Sequence, residues 1–334
     1  MSNIINVILS GGVGSRLWPL SRKSKPKQYL PIFEGQTLFQ KTVSRNLEFM
    51  DDVLIVGNKD NYELSRADLG RIAVHQYNEL VEACPRNTAA AIAFAAYHYK
   101  EDDILFVTPS DHLIDETGKE YSKAVCRAIE LAGEGNIVTF GLRPTKPETG
   151  YGYIEAAGET VKGFHEKPDF EKAKDFLSLG NFLWNSGMFC FKAGVFLEEL
   201  RKFETEIFDQ AYGAYILKKG IYLPKRESLR IPSLSVDYAV MERSNKIKVV
   251  PSSFAWSDMG SFESIYEYLK EKGHHTDSSG NMAIGIEAYT EFTGLSNTIL
   301  IFTKDAVLVL KKESSQEVKD VFHRLENERP ELVM

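Results

Sequence analysis

Three glycines and five bases lie within the stretch LSGGVGSRLWPLSRKSKPKQYL, residues 9–30, an arrangement suited to holding an anion. Gly11, Gly12 and Gly14 carry no Cβ, so ligand oxygens can come close to backbone N–H groups that bind phosphate. Arg16 can make a forked contact to phosphate, and Lys27 can supply a compact cation. Trp18-Pro19-Leu20 would stiffen and anchor the loop. The spacing is not that of a Walker A loop, which needs Gly-Lys-Ser/Thr after its gap. Leu17 stands where a dinucleotide fingerprint places its third glycine. A second candidate is Asp111 in VTPSDHLI (107–114), just past an apolar run, where a catalytic carboxylate belongs in an open α/β sheet. A lone aspartate there can equally cap the next segment. His112 reads as structural.

These residues need elements to hold them. The run Ile4 to Leu9 reads as a buried strand ahead of the glycine loop. VLIVG (53–57), RIAVHQY (71–77), DILFVT (103–108) and NIVTFG (136–141) read as further strands. Helical patterns near 37–49, 60–69, 87–99 and 117–132 alternate with them, the first opened by Thr37 as N-cap. This alternation predicts an α/β fold with a doubly wound, mostly parallel (mixed) sheet, with ligands beyond the carboxyl ends of its strands. From 150 to 260 the pattern is less regular. GYGYIEA, VKGFHEKP and WNSGMFCF read as strand edges and turns lining a second pocket. GHHTDSSGN (273–281) is a polar, turn-rich linker candidate. NTILIF and AVLVLKK read as strands, and a last helix follows, opened by a capping box from Ser314 to Glu317.

Composition narrows the function classes. With 334 residues, 43% hydrophobic and 26% charged, the chain has the make-up of a globular protein, large enough for one α/β domain and a small second one. A net charge of −7 disfavours a broad nucleic-acid surface. The distribution is uneven: Arg16, Arg22, Lys23, Lys25 and Lys27 all precede the first acid, Glu34. A cationic spot on an acidic body suits a small polyanion such as a nucleotide. The three scattered cysteines form no C-x-x-C pair, which fits a reducing cytoplasm and no thiolate metal site. No leader pattern and no apolar run of membrane-spanning length is present, so no membrane association is expected.

LSGGVGSRLWPLSR followed by PKQYL resembles the signature of the bacterial mannose-1-phosphate guanylyltransferases, or GDP-mannose pyrophosphorylases, within the sugar nucleotidyltransferase family. The resemblance implies GTP and mannose 1-phosphate as substrates, Mg²⁺ as cofactor, and attack of the sugar phosphate on the α-phosphate of GTP. It implies that Gly11, Gly12, Gly14, Ser15 and Arg16 hold the triphosphate, that Lys27 steadies the phosphates, and that Ser110 joins the nucleotide set. In EACPRNTAAAIAFAA (82–96) it places Glu82, Arg86 and Asn87 beside the base, where Glu82 or a nearby carbonyl can accept from guanine N1–H and N2–H₂. Ala83, Pro85 and Ala90 depart from the family's more usual Pro, Gly and Pro.

By the same resemblance Asp111 and Asp258 are the metal ligands, although Asp258 in FAWSDMGSF also reads as an N-cap for a helix near Gly260. Gly150, Glu166, Lys167 and Asn185 match the sugar-phosphate residues; Asp237 in SVDYAVME matches too but ranks lower, as a helix cap. The resulting division is a nucleotidyltransferase domain over 1–272 and a C-terminal domain over 273–334. Within the first, the GTP half covers about 1–145 and the sugar-phosphate half about 146–272. Beyond 272 the resemblance weakens, and a reduced β-helix-like tail with a terminal helix is expected, serving in a possible homodimer. The family's isomerase extension has no counterpart in this stretch. The alternatives are a same-fold transferase for another nucleotide or sugar 1-phosphate, and a non-catalytic nucleotide-sugar-binding regulator.

Overall fold

The structure, a computed structural model, describes residues 2–114 and 119–334; positions 117 and 118 of the expected fourth helix lie outside the described residues. The chain divides into two compact units. The first comprises Met1–Gly11, Thr42–Ser110 and Ile114–Trp256, the second Gly12–Lys41, Asp111–Leu113 and Ser257–Met334.

The first unit is built on a ten-stranded sheet. In chain order its strands are β1 (Ile4–Ser10), β2 (Asp52–Asn58), β3 (Asn78–Glu82), β4 (Ile104–Pro109), β5 (Ile137–Leu142), β6 (Tyr153–Ala157), β7 (Thr160–His165), β8 (Phe182–Lys192), β9 (Tyr222–Leu223) and β10 (Ile247–Ser252). They lie in the order β9-β3-β2-β1-β4-β8-β5-β10-β7-β6. From β9 to β4 every pairing is parallel; β8 enters antiparallel between β4 and β5 and makes the sheet mixed. The first strands read as unbroken apolar runs because helices cover both faces. Helices Asn87–His98, Ala193–Phe203 and Thr205–Ile216 pack on one face. Helix Glu120–Gly133 packs on the other.

A polar chain crosses the centre of this sheet. Asn6 in β1 donates through Nδ2 to the Phe106 carbonyl (3.0 Å) and to Thr108 Oγ1 (3.1 Å) in β4. Its Oδ1 accepts from Asn46 Nδ2 (3.1 Å), and Tyr121 O–H donates to Asn46 Oδ1 (2.6 Å).

Residues 71–77 are not the expected strand. Helix Tyr62–Arg71 runs into them and is closed there: Ala73 takes a left-handed φ of 57°, and Val74 N–H donates to the Leu69 carbonyl (3.0 Å). Those amides satisfy helix carbonyls and are not free for a ladder, so the strand begins at Asn78.

The second unit holds a small sheet of β11 (Met282–Ile284), β12 (Thr298–Phe302) and β13 (Val307–Lys311). β11–β12 is parallel and β12–β13 an antiparallel hairpin, so these strands do not repeat as β-helix coils. Helix Phe262–Glu271 shares an apolar cluster with this sheet, through Phe262, Ile265 and Tyr266 against Met282, Ile284, Ile299 and Ile301. A boundary at 272/273 therefore cuts through this unit, and 273–281 is an internal turn braced by Asp277. Thr37 does cap its helix. Gln40 N–H donates to Thr37 Oγ1, and Thr37 N–H to Gln40 Oε1, both 3.1 Å, a reciprocal capping box. No such box opens the last helix, Val318–Glu328, which grows out of a 3₁₀ run over Lys312–Glu317 without a side-chain cap. Among the described residues no helix is long and apolar enough to cross a membrane.

Candidate active site

Lys27 organises the candidates of the second unit. Gly14 enters the left-handed region (φ 73°), Ser15–Leu17 make a 3₁₀ turn, and Lys27 N–H returns to the Val13 carbonyl (3.2 Å). A Cβ at Gly14 would lie 2.5 Å from Lys27 Cβ, so the lysine runs directly against the glycine. The Lys27 side chain is 6% exposed. Its Nζ pairs with Asp111 Oδ2 at 2.9 Å and donates to the Asp258 carbonyl at 2.6 Å. One ammonium thus gathers two aspartates far apart in sequence.

Burial opposes ionisation of Asp111, yet Lys27 and then His112 outweigh it and hold the carboxyl below its ordinary range. It remains an anion at neutral pH. Asp258 Oδ1 accepts from Gly260 N–H (3.1 Å). Asp258 is not the helix cap: Ser261 is, its hydroxyl accepting from Ser264 N–H. Met259 between them sits at φ 46°, a strained conformation for a side chain of its size.

The five bases divide by partner. Arg22 pairs with Asp305 (2.9 Å), Lys23 with Glu326 (2.8 Å), and Lys27 with Asp111. Half-exposed Arg16 and exposed Lys25 have neither an ion pair nor a side-chain hydrogen bond among the described residues. Gly12 is exposed and Ser15 half-buried in the same loop. Among the described residues no three His, Cys, Asp or Glu side chains gather as a metal cage. Lys27 Nζ thus meets one carboxylate, that of Asp111, and the backbone carbonyl of Asp258, whose own Oδ1 accepts from Gly260 N–H. So sparse a donor set fits a cation that draws most of its ligands from phosphate and water, as Mg²⁺ does.

The expected nucleotide residues of the first unit are disposed separately. Glu82 ends β3 and is 7% exposed. Burial pushes its carboxyl up to about 8, against the opposing N–H of Arg86. Its Oε1 has no hydrogen-bond partner among the described residues. The Ser110 hydroxyl is likewise buried without a partner, and Gly11 is exposed. Arg86 donates through Nε to the Ile231 carbonyl (2.6 Å), so that group is engaged within the fold. Asn87 opens its helix at φ 69°, its Oδ1 accepting from Thr88 N–H (2.8 Å), while Thr88 Oγ1 accepts from Val236 N–H (2.9 Å).

Glu82 has a measurable consequence. Its native pKa of about 8 lies above the ordinary 4.5, so between those values the native state holds a proton that the unfolded chain has lost. Stability must fall as pH rises through that window and level off above it. Glu82→Gln has no such proton to lose. Thermal unfolding from pH 5 to 8 should show the variant gaining on the parent as pH rises, and a constant difference would refute the buried, protonated carboxyl.

Three of the four sugar-phosphate candidates meet in the first unit, with one addition. Lys167 Nζ pairs with Glu166 Oε1, and Lys167 itself takes φ 45°. Asn185 in β8 accepts from Thr139 Oγ1 (2.9 Å) and donates through Nδ2 to Asp237 Oδ1 (3.0 Å). Asp237 heads a one-turn π-helix, Asp237–Met241; burial and then the Glu166 charge push its carboxyl up to about 6. Its setting against Asn185 makes it more than a cap, and its only sequence signal was the family match. Gly150 is not part of this group; its N–H donates to Glu148 Oε1 (3.1 Å). Tyr151 packs edge-on against Trp184 and Trp256, ring centroids 5.2 and 5.1 Å away.

Residues 5–274 match the nucleotidyl transferase family, and the chain belongs to it. Two relatives are more particular. The chain is 38% identical to mannose-1-phosphate guanylyltransferase 2 of Escherichia coli O157:H7, over 96% of this chain and 73% of that protein. It is 37% identical to the alginate biosynthesis protein AlgA of Pseudomonas putida, over 97% and 72%. The fold is similar to a crystal structure from Thermus thermophilus described as a mannose-1-phosphate geranyltransferase. That match has a TM-score of 0.82 and 29% identity, covering 97% of this chain and 99% of the other.

Proposed function

We propose that this chain transfers GMP from GTP to mannose 1-phosphate, giving GDP-mannose and pyrophosphate. The observation that carries the reading is its 38% identity, across almost its whole length, to a mannose-1-phosphate guanylyltransferase. A phosphate oxygen of the sugar phosphate attacks the α-phosphorus of GTP in line; the P–O bond to pyrophosphate breaks as the new one forms. The nucleophile is already an anion, so no protein nucleophile or base is required, and catalysis is positioning and charge neutralisation.

Each residue then has a limited task. Arg16 grips triphosphate oxygens together with the amides of Gly11, Gly12, Gly14 and Ser15. Lys27 neutralises phosphate charge. Asp111 and Asp258 would hold Mg²⁺, which supplies further neutralisation of the two phosphate groups. The unpartnered Oε1 of Glu82 is an acceptor for guanine N–H groups, beside Arg86, Asn87 and Ser110. Glu166, Asn185 and Asp237 take sugar hydroxyls, and Lys167 takes the sugar phosphate. Both substrates are multiply charged, and the three cysteines are free thiols, which fits the cytoplasm.

The test is pyrophosphate release with GTP, ATP, UTP and dTTP against mannose and glucose 1-phosphates. GTP with mannose 1-phosphate should turn over fastest by an order of magnitude or more, and GTP should raise Tm in Mg²⁺ more than UTP does. Equal rates across nucleotides, or equal Tm shifts, would remove the assignment to GTP.

A further inference from the structure

The glycine loop is held from outside by a segment remote in sequence, within the same compact unit. Trp18 Nε1 donates to the Leu332 carbonyl (2.8 Å), Lys23 N–H donates to the Val333 carbonyl (2.8 Å), and the Ser24 hydroxyl reaches the Met334 carbonyl. Val333 is 1% exposed and packs in one apolar cluster with Leu17, Trp18, Phe322 and Leu325. Two ion pairs flank the contact, Arg22 with Asp305 and Lys23 with Glu326. The Arg22 guanidinium also lies over the Trp18 ring and donates to the Pro19 carbonyl.

The bracing continues inward. Leu20 and Ser21 N–H both return to the Leu17 carbonyl, and Ser21 Oγ donates to the Gly14 carbonyl (2.6 Å). An unbroken series of contacts therefore runs from residues 332–334 through 18–24 to Gly14, on either side of Arg16 in sequence. Arg22 and Lys23 are occupied in this clamp and are not available to an anion.

We propose that residues 330–334 are a positioning strap for nucleotide binding: they hold the loop so that unpartnered Arg16 and the Gly12–Ser15 amides are preset for the triphosphate. This rests on the transfer reading above. Without the strap the loop must be ordered by the nucleotide itself, and that ordering is charged against affinity. Val333, Leu332 and Trp18 act through the loop and touch no substrate.

Two variants and two readouts test it. Val333→Asp puts a charge in the clamped cluster; Trp18→Phe keeps an aromatic ring, though a smaller one, and removes the Nε1 donor to Leu332. Hydrogen exchange of the amides of residues 17–27 should speed up in both, more in Val333→Asp. KM for GTP should rise about tenfold in Val333→Asp, equivalent to ~1.4 kcal/mol, with KM for mannose 1-phosphate and kcat little changed. Adding Trp18→Phe to Val333→Asp should cost less than it costs alone, since the two share one clamp. Unchanged exchange at 17–27 overturns the strap. So does an equal rise in both KM values with lowered Tm, the mark of general damage. If the parent protein proves inactive, the transfer reading falls, while the exchange result still decides the strap.

Discussion

Asp258→Asn is expected to lower kcat by about 10²–10³, the usual cost of removing one electrostatic contact to the transition state, with little change in Tm. The structure makes this a clean substitution. Asp258 holds Lys27 through its backbone carbonyl, which asparagine retains. Its Oδ1 accepts from Gly260 N–H, which the asparagine oxygen can also do. The following helix is capped by Ser261, so helix integrity does not enter. The substitution removes the negative charge and turns one acceptor oxygen into an NH₂ donor. Asp111→Asn should cost at least as much, and it should disturb more, because it also removes the ionic partner of Lys27. Turnover of Asp258→Asn near the parental value at saturating Mg²⁺ would eliminate the two-aspartate site and leave Asp111 as the sole candidate.

Gly14→Ala should be nearly as damaging, by a different route. The new Cβ meets Lys27 Cβ at 2.5 Å, and the atom in its way lies next to the Lys27 backbone, where no flexible end can swing aside. Lys27 must shift, and displacements of about 1 Å in a positioned group can cost ~10²-fold in rate. Gly12→Ala is the control. Gly12 has a similar positive φ of 83°, but open space where its Cβ would go, so it bears only the left-handed penalty of about 1–2 kcal/mol. Steady-state kinetics and thermal melts of the pair should separate crowding from strain. Equal kcat losses in the two variants would show that Lys27 placement is not what Gly14 secures.

Much of the parallel half was legible because β1, β2 and β4 are apolar runs bounded by turns, with helical periods between. The stretch 71–77 misled because Ile72, Ala73, Val74 and Tyr77 give it the apolar make-up of a strand, while the amides of 72–74 close a helix. The antiparallel insertion of β8 between β4 and β5 is a long-range pairing that no local pattern encodes. Among site residues, Asp111 and Asp258 each had a local explanation, as segment cap and helix cap. Their meeting at one ammonium depends on tertiary folding. Asp237 was undervalued for the same reason: its contact with Asn185 spans 52 positions. The attachment of Trp18 to Leu332 spans 314 and had no sequence signal at all.

The polar chain through the sheet centre bears on how β1 finds its neighbours. Ile4–Ser10 reads Ile-Ile-Asn-Val-Ile-Leu-Ser, and with both faces buried almost any phase of this run would satisfy the apolar requirement. Parallel strands of this kind are weakly instructed about alignment. Asn6 is the exception. In the native alignment it stands opposite Val53 and Phe106, and its amide completes the set formed with Thr108, Asn46 and Tyr121. Sliding the strand by one residue turns that amide toward the other helical layer and strands its partners, at about 1–3 kcal/mol for each buried group left unpaired. A single asparagine thereby distinguishes the correct pairing from its one-residue neighbours, and sets which way the strand feeding the glycine loop faces.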